Sequence, residues 1–186
     1  MIFRVTQLDQ VRLLVIERHV DERGSFGRTF CKREFATNGL AGEFVQSSTS
    51  FSRRAGTVRG MHYQRPPDAE AKLVRCIRGS IYDVVVDVRP ASPSFMRWQG
   101  FTLAGTADEQ LYIPPGCAHG FQTLEDDTEV LYHMSCEYAP QSAEGFRYDD
   151  PAFAIVWPRE VTAIAGKDLA WPPVTVRPEG ASGGYA

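Results

Sequence analysis

The sequence predicts an all-β fold, a sandwich or barrel of short antiparallel strands with a few short helices. Three observations carry this expectation. Runs rich in β-branched and aromatic residues recur along the chain with turn signals between them. No long helical periodicity is present. Nothing alternates strand with helix, and no Walker-type phosphate loop occurs.

In chain order, the strand candidates are Arg12–Val20, Phe44–Ser50, Thr57–Gln64, Lys72–Arg78, Ser80–Arg89, Arg97–Leu103, Gln110–Ile113, Gly120–Leu124 and Val130–Tyr138. One helix is predicted over Cys31–Asn38, closed by Asn38-Gly39. Arg78-Gly79 and the run Glu125-Asp126-Asp127 read as hairpin turns. Strand alternation places Tyr82, Val84, Val86 and Val88 on one face and Asp83 and Asp87 on the other. It also groups Lys72 with Val74 and Cys76, so the amine either points into a cavity or marks the wet end of its strand.

The composition is that of a globular chain: of 186 residues, 43% are hydrophobic and 23% charged. The length suits one domain spanning 1–186, with a core over about 10–175 and a Gly/Ala/Ser-rich tail over 178–186. No apolar run approaches the roughly 18 residues of a membrane helix, and the start lacks a signal peptide, so a cytoplasmic protein is expected. A net charge of −3 argues against nucleic acid as a partner. The charge is unevenly spread. Residues 1–78 carry 14 Lys/Arg against 8 Asp/Glu, and residues 79–186 carry 6 against 15. That bias either faces the first half toward an anion or averages out on folding. Cys31, Cys76, Cys117 and Cys136 lack metal-type spacing. Cys76 and Cys136 fall in strand-like runs and read as small buried hydrophobes in a reducing compartment.

Of the four histidines, two sit in polar, glycine-flanked contexts: His62 in Arg59-Gly60-Met61-His62-Tyr63-Gln64, and His119 after Pro114-Pro115-Gly116-Cys117-Ala118. The alternatives are a shared site or two structural imidazoles bonding loop backbone. Plain alternation puts Arg59 and His62 on opposite faces; a bulge at Gly60 would re-aim one of them. Tyr132 and Tyr138, six residues apart on one expected strand, would share a face about 20 Å apart at roughly 3.3 Å per residue. That spacing suits a long ligand.

The Pro-x-Gly-x-x-His spacing at Pro114–His119 resembles the second motif of the cupin barrels. The first cupin motif is incomplete: Tyr63-Gln64 stands where a second histidine is usual, and Glu70 follows at a distance. This favours a metal-free cupin, while His62, Glu70 and His119 remain a candidate set for an iron-dependent oxygenase. Further segments make the resemblance specific. They are Asp21-x-Arg23-Gly24-x-Phe26, Phe44-Val45-Gln46, the His62 segment, Ala71-Lys72-Leu73-Val74-Arg75, Asp83-Val84-x-Val86-Asp87-x-Arg89, the His119 segment, Tyr138-Ala139-Pro140, and Asp150-Pro151 through Trp157-Pro158. In this order, over about residues 20–172, they resemble the dTDP-4-dehydrorhamnose 3,5-epimerase family of nucleotide-sugar epimerases.

The resemblance implies a cupin-type jelly-roll barrel that needs no metal or other cofactor. It implies proton abstraction and opposite-face reprotonation beside the ketone of a nucleotide-linked 4-keto-6-deoxy sugar. It assigns His62 as base, Asp168 as the carboxylate orienting it, Lys72 as positive charge near the enolate oxygen, and Tyr132 as acid. Arg23 and Arg59 would hold the diphosphate, and Tyr138 would stack on the base. Gln46, His119, Glu144 and Lys167 would make further substrate contacts, and Phe26 one near His62. The Arg23 segment would reach the neighbouring site of a homodimer. Arg28 and Ser48 stand where the family usually has Glu and Asn, both in substrate-contacting segments. Alternatives are an epimerase acting at one carbon only, and a binder of nucleotide sugars without catalysis.

Overall fold

Apolar residues of the central strands pack two sheets face to face, and the outer faces are covered in turn. The computed structural model describes residues 1–174. In chain order it contains β1 (Ile2–Val5), β2 (Arg12–Val15), β3 (Arg18–Asp21), β4 (Gly24–Gly27), α1 (Lys32–Thr37), β5 (Gln46–Ser52), β6 (Val58–Gln64), β7 (Lys72–Arg78), β8 (Ser80–Asp87), β9 (Trp98–Ala104), β10 (Glu109–Ile113), β11 (Cys117–Thr123), β12 (Thr128–Met134), β13 (Ala143–Gly145) and α2 (Gly166–Leu169). One sheet has the order β1-β2-β10-β7-β12-β5, the other β13-β6-β11-β8-β9. All pairings between named strands are antiparallel. This is the expected jelly roll. The tail expected over 178–186 lies outside the described residues. Among those described, no helix is long and apolar enough to cross a membrane.

Three apolar layers result. Val74, Cys76, Ile81, Val85, Leu111, Ile113, Phe121 and Val130 fill the space between the sheets. Met61, Val84, Val86 and Ala118 pack outside the five-stranded sheet under Phe146, Phe153 and Ile155. Leu14, Leu73 and Tyr112 pack outside the six-stranded sheet against Phe35 of α1 and Leu40. Each of the two sheets is therefore apolar on both faces, and β8 shows how. Tyr82, Val84 and Val86 face the outer layer, whereas Ile81 and Val85 face the interior with Asp83 and Asp87.

Several expectations need correction. Arg78-Gly79 and Glu125–Asp127 are not hairpin turns: β7 and β8, and likewise β11 and β12, lie in different sheets. Turn residues report a reversal of the chain, not which strand it pairs with next. The run Arg12–Val20 divides into β2, in the large sheet, and β3, which among the described residues pairs only with β4. That second hairpin stands away from the barrel, with Val20 77% and Phe26 73% exposed. The run Val130–Tyr138 stops being a strand at Met134. Tyr132 and Tyr138 therefore do not share a strand face, and the 20 Å estimate fails. Cys136 lies beyond that strand end and is only half-buried, unlike Cys76.

Candidate active site

A cavity of about 450 Å³ lies between the two sheets. From the five-stranded sheet it is lined by Arg59 and His62 of β6 and by His119 and Phe121 of β11. From the six-stranded sheet come Lys72 of β7, Tyr132 and Met134 of β12, and Ser50 of β5. Ala163 to Ala165, Lys167 and Asp168 close one side. A parallel bridge from Thr57 to Ala163 ties this last segment to the barrel.

Arg59 and His62 reach the same cavity because β6 bulges between them. His62 pairs with His119 and Arg59 with Phe121, so three steps along β6 match two along β11. Gly60 sits at the bulge with φ +127°, and a Cβ there would lie 2.5 Å from the Gly120 Cα. Only glycine fits such a crossing.

His62 Nε2 is 2.7 Å from Oδ1 of Asp168, a residue 2% exposed. A carboxylate only accepts, so the proton of the neutral imidazole sits on Nε2 and the lone pair on Nδ1. Burial pulls the His62 pKa below its ordinary value. The Asp168 carboxylate opposes that shift, while the charges of Lys72 and Lys167 add to it. The ring is thus neutral, and basic at Nδ1, at pH 7. Lys72 is anchored by a 3.0 Å ion pair to Glu70 and donates to the His62 carbonyl at 3.2 Å. Burial pushes the Tyr132 phenol well above the usual tyrosine range, with the Asp83 charge acting in the same sense, so it stays a proton donor. Its ring lies edge-on to His119, with centroids 6.2 Å apart, and beside Phe121. Arg59 donates to Ser52 Oγ and to the Phe51 carbonyl, which fixes its guanidinium at the rim.

Of the expected site residues, the fold therefore brings His62, Lys72, Tyr132, Asp168, Arg59, His119 and Lys167 to one cavity. Ser48 and Gln46 share a face of β5 with the cavity-lining Ser50, and Gln46 accepts a hydrogen bond from the Tyr138 amide at 2.8 Å. Glu144 lies next to this region on β13, engaged by Tyr63 and Arg65, but does not line the cavity. Arg23, Phe26 and Arg28 do not reach it either. Arg23 pairs with Asp21 on the projecting hairpin and Arg28 pairs with Glu34. Phe26 therefore makes no contact near this chain's own His62. The three candidate iron ligands are each otherwise engaged: His62 with Asp168, Glu70 with Lys72, His119 with Asp83. Among the described residues no three His, Cys, Asp or Glu side chains converge as a metal-binding group. Sequence reading gave no site role to Ser50, Met134 or the Ala163–Ala165 wall, none of which carries a motif, nor to Phe121, which ends the His119 segment.

Comparison with known proteins identifies the family. The family profile of dTDP-4-dehydrorhamnose 3,5-epimerase matches residues 5–175. The chain is 40% identical over 179 residues to the dTDP-4-dehydrorhamnose 3,5-epimerase of Methanothermobacter thermautotrophicus, covering 95% of this chain and 96% of that one. The Bacillus anthracis dTDP-4-dehydrorhamnose 3,5-epimerase, solved with TDP and PPi bound, superposes with a TM-score of 0.88 at 37% identity, covering 92% and 98% of the two chains. The Legionella pneumophila dTDP-6-deoxy-D-glucose-3,5-epimerase, in complex with dTDP-4-keto-L-rhamnose, superposes with a TM-score of 0.84 at 37% identity, covering 91% and 90%. With profile, sequence and architecture agreeing over nearly the whole length, this chain belongs to the dTDP-4-dehydrorhamnose 3,5-epimerase family.

Proposed function

We propose that this chain converts dTDP-4-dehydro-6-deoxy-D-glucose to dTDP-4-dehydro-L-rhamnose by inverting the two carbons that flank the ketone, without a cofactor. His62 Nδ1 takes the acidic C–H proton, and the C–H electron pair moves into the ring to give an enolate. The Lys72 ammonium offsets the charge arriving on the ketone oxygen. Tyr132 then delivers a proton to the opposite face, and the two protein groups return to their starting states through solvent. Nothing is oxidised or reduced, and the product is an isomer of the substrate. Asp168 orients the imidazole and stabilises the imidazolium that forms.

The observation that carries this reading is a neutral, carboxylate-bound His62 on one sheet and a protonated Tyr132 on the other, both lining one cavity that the Lys72 ammonium also lines. Arg59 at the rim suits a diphosphate. Lys167 at the edge, and Gln46, Ser48, Tyr138 and Glu144 just beyond the cavity, suit the rest of the nucleotide sugar. In a homodimer the projecting β3–β4 hairpin would bring Arg23 and Phe26 to the partner's cavity, and Arg28 near it. The four free cysteines suit a cytoplasmic enzyme.

Proton NMR in heavy water with dTDP-4-dehydro-6-deoxy-D-glucose tests the reading. Deuterium should enter at both carbons. Uptake at one carbon would make this a single-site epimerase, and none, with folded protein, would overturn the assignment.

A further inference from the structure

Two aspartates lie four residues apart on β8, facing the barrel interior, and both are 0% exposed. Their surroundings differ. Both oxygens of Asp87 are satisfied, by Arg89, Ser92 and Ser94, in a closed network that serves the loop after the strand. Asp83 has one partner: its Oδ1 meets His119 Nε2, while Oδ2, fully buried, has no hydrogen-bond partner among the described residues. A buried carboxylate is costly to leave half-satisfied, and a purely structural one settles as Asp87 does. The single group that Asp83 holds among the described residues is an imidazole lining the active cavity.

The arrangement repeats the catalytic one. His119 and His62 are cross-strand partners in the β6–β11 register. Each ring has Nε2 tied to a buried aspartate, and neither Nδ1 has a hydrogen bond among the described residues. A carboxylate on Nε2 fixes the neutral ring in one tautomer, with its Nδ1 lone pair available as an acceptor. The ring cannot swing freely, because Phe121 and Tyr132 pack around it.

We propose that Asp83 is a positioning residue for epimerisation, acting from the barrel interior to lock His119 so that its Nδ1 accepts a hydrogen bond from a hydroxyl of the sugar. The inference rests on the epimerase reading and deepens it: Asp83 touches no substrate and acts on the sugar half of the ligand alone. Loss of the lock therefore weakens handling of the sugar and leaves the nucleotide half unaffected.

Nitrogen-15 NMR of the four histidines in the wild-type protein, with His119→Gln for assignment, reads the tautomer directly. We expect His119 protonated on Nε2; a proton on Nδ1 alone would overturn the proposal whether or not any variant folds. Asp83→Asn should lower kcat/KM for the nucleotide sugar about 10- to 100-fold, the loss of one hydrogen bond to a charged group. Its dissociation constant for dTDP should stay within about threefold of wild type. Combining Asp83→Asn with His119→Gln should cost little more than His119→Gln alone, since one acts through the other. Wild-type kcat/KM in Asp83→Asn, a parallel loss of dTDP affinity, or additive effects would each overturn it. Absence of exchange by the wild-type protein would instead sink the epimerase reading, and the tautomer measurement would stand apart from that result.

Discussion

Replacing Asp168 by Asn keeps the shape of the side chain and removes its charge. In the resting enzyme the 2.7 Å contact with His62 Nε2 holds a neutral ring; after proton abstraction it holds an imidazolium. The variant therefore acts on the step that creates charge. A hydrogen bond to a charged group contributes about 1.5–3 kcal/mol net, which at about 1.36 kcal/mol per decade sets a floor near tenfold. The Coulomb attraction of two unit charges about 4 Å apart, at an effective dielectric constant of about 20, is about 4 kcal/mol and sets a ceiling near 10³-fold. Exchange at both carbons should therefore slow by about 10- to 10³-fold. The pH profile gives a second reading with a fixed sign. Exchange needs neutral His62 and fails as pH falls through its pKa. Asp168 holds that pKa up against burial and the two lysines. In Asp168→Asn the acid limb should accordingly move to lower pH even as the plateau drops. Both come from deuterium uptake measured by NMR between about pH 4 and 8. A variant exchanging within about threefold of wild type, with its acid limb unmoved, would refute the assignment of Asp168 as the partner of the base.

Tyr132→Phe removes the donor and keeps the ring, so hydrogen exchange should persist from the His62 face while net inversion is mostly lost; wild-type inversion would leave Tyr132 as a packing residue. Lys72→Met, read in a Glu70→Gln background so that no buried carboxylate is left unpaired, should cost about 10²–10³-fold in exchange and move the acid limb to higher pH, because a charge that lowers the His62 pKa is gone. Gly60→Ala forces a side chain into a φ of +127° against the Gly120 backbone. It should cost about 1–3 kcal/mol, lowering Tm by roughly 2–12 °C, and should impair Arg59 and His62 together. If the β3–β4 hairpin serves the partner's site, mixing inactive His62→Ala subunits with Arg23→Ala subunits should restore wild-type KM in a fraction of sites, and failure to do so in verified mixed dimers would assign Arg23 to its own chain.

What could be read from the sequence divides along physical lines. β7 is where alternation placed it, residue for residue, because Lys72, Val74 and Cys76 face one side and Arg78-Gly79 ends the run. The α1 helix was equally legible, since Asn38 and the left-handed Gly39 close it. The β3–β4 hairpin was not: solvent surrounds both its faces, so no apolar alternation marks it. The end of β12 was hidden because Tyr138 continues the aromatic pattern beyond Met134, where the strand stops. Within the site, His62, Lys72, Tyr132 and Asp168 were legible only through their joint resemblance to a family. Tertiary folding alone brings the last of them, 106 residues from His62, into contact. The β6 bulge was foreseeable from Gly60 and is present. The special position of Asp83 was not, because an aspartate alternating with valines does not reveal that both faces of its strand are buried.

The division of the cavity between two sheets makes the protein interior a ruler. His62 stands on one sheet and Tyr132 on the other, so the gap between proton acceptor and proton donor is set by sheets stacked about 10 Å apart. Val85, Val130 and Phe121 are among the spacers that set it. Trimming or enlarging them would change how far a flat intermediate sits from each group while leaving every polar side chain of the site intact. Stereochemical outcome, normally sought in residues that touch the ligand, then becomes adjustable by hydrocarbon volume behind them. A series such as Val85→Ala and Val85→Ile would scan that distance in sub-ångström steps.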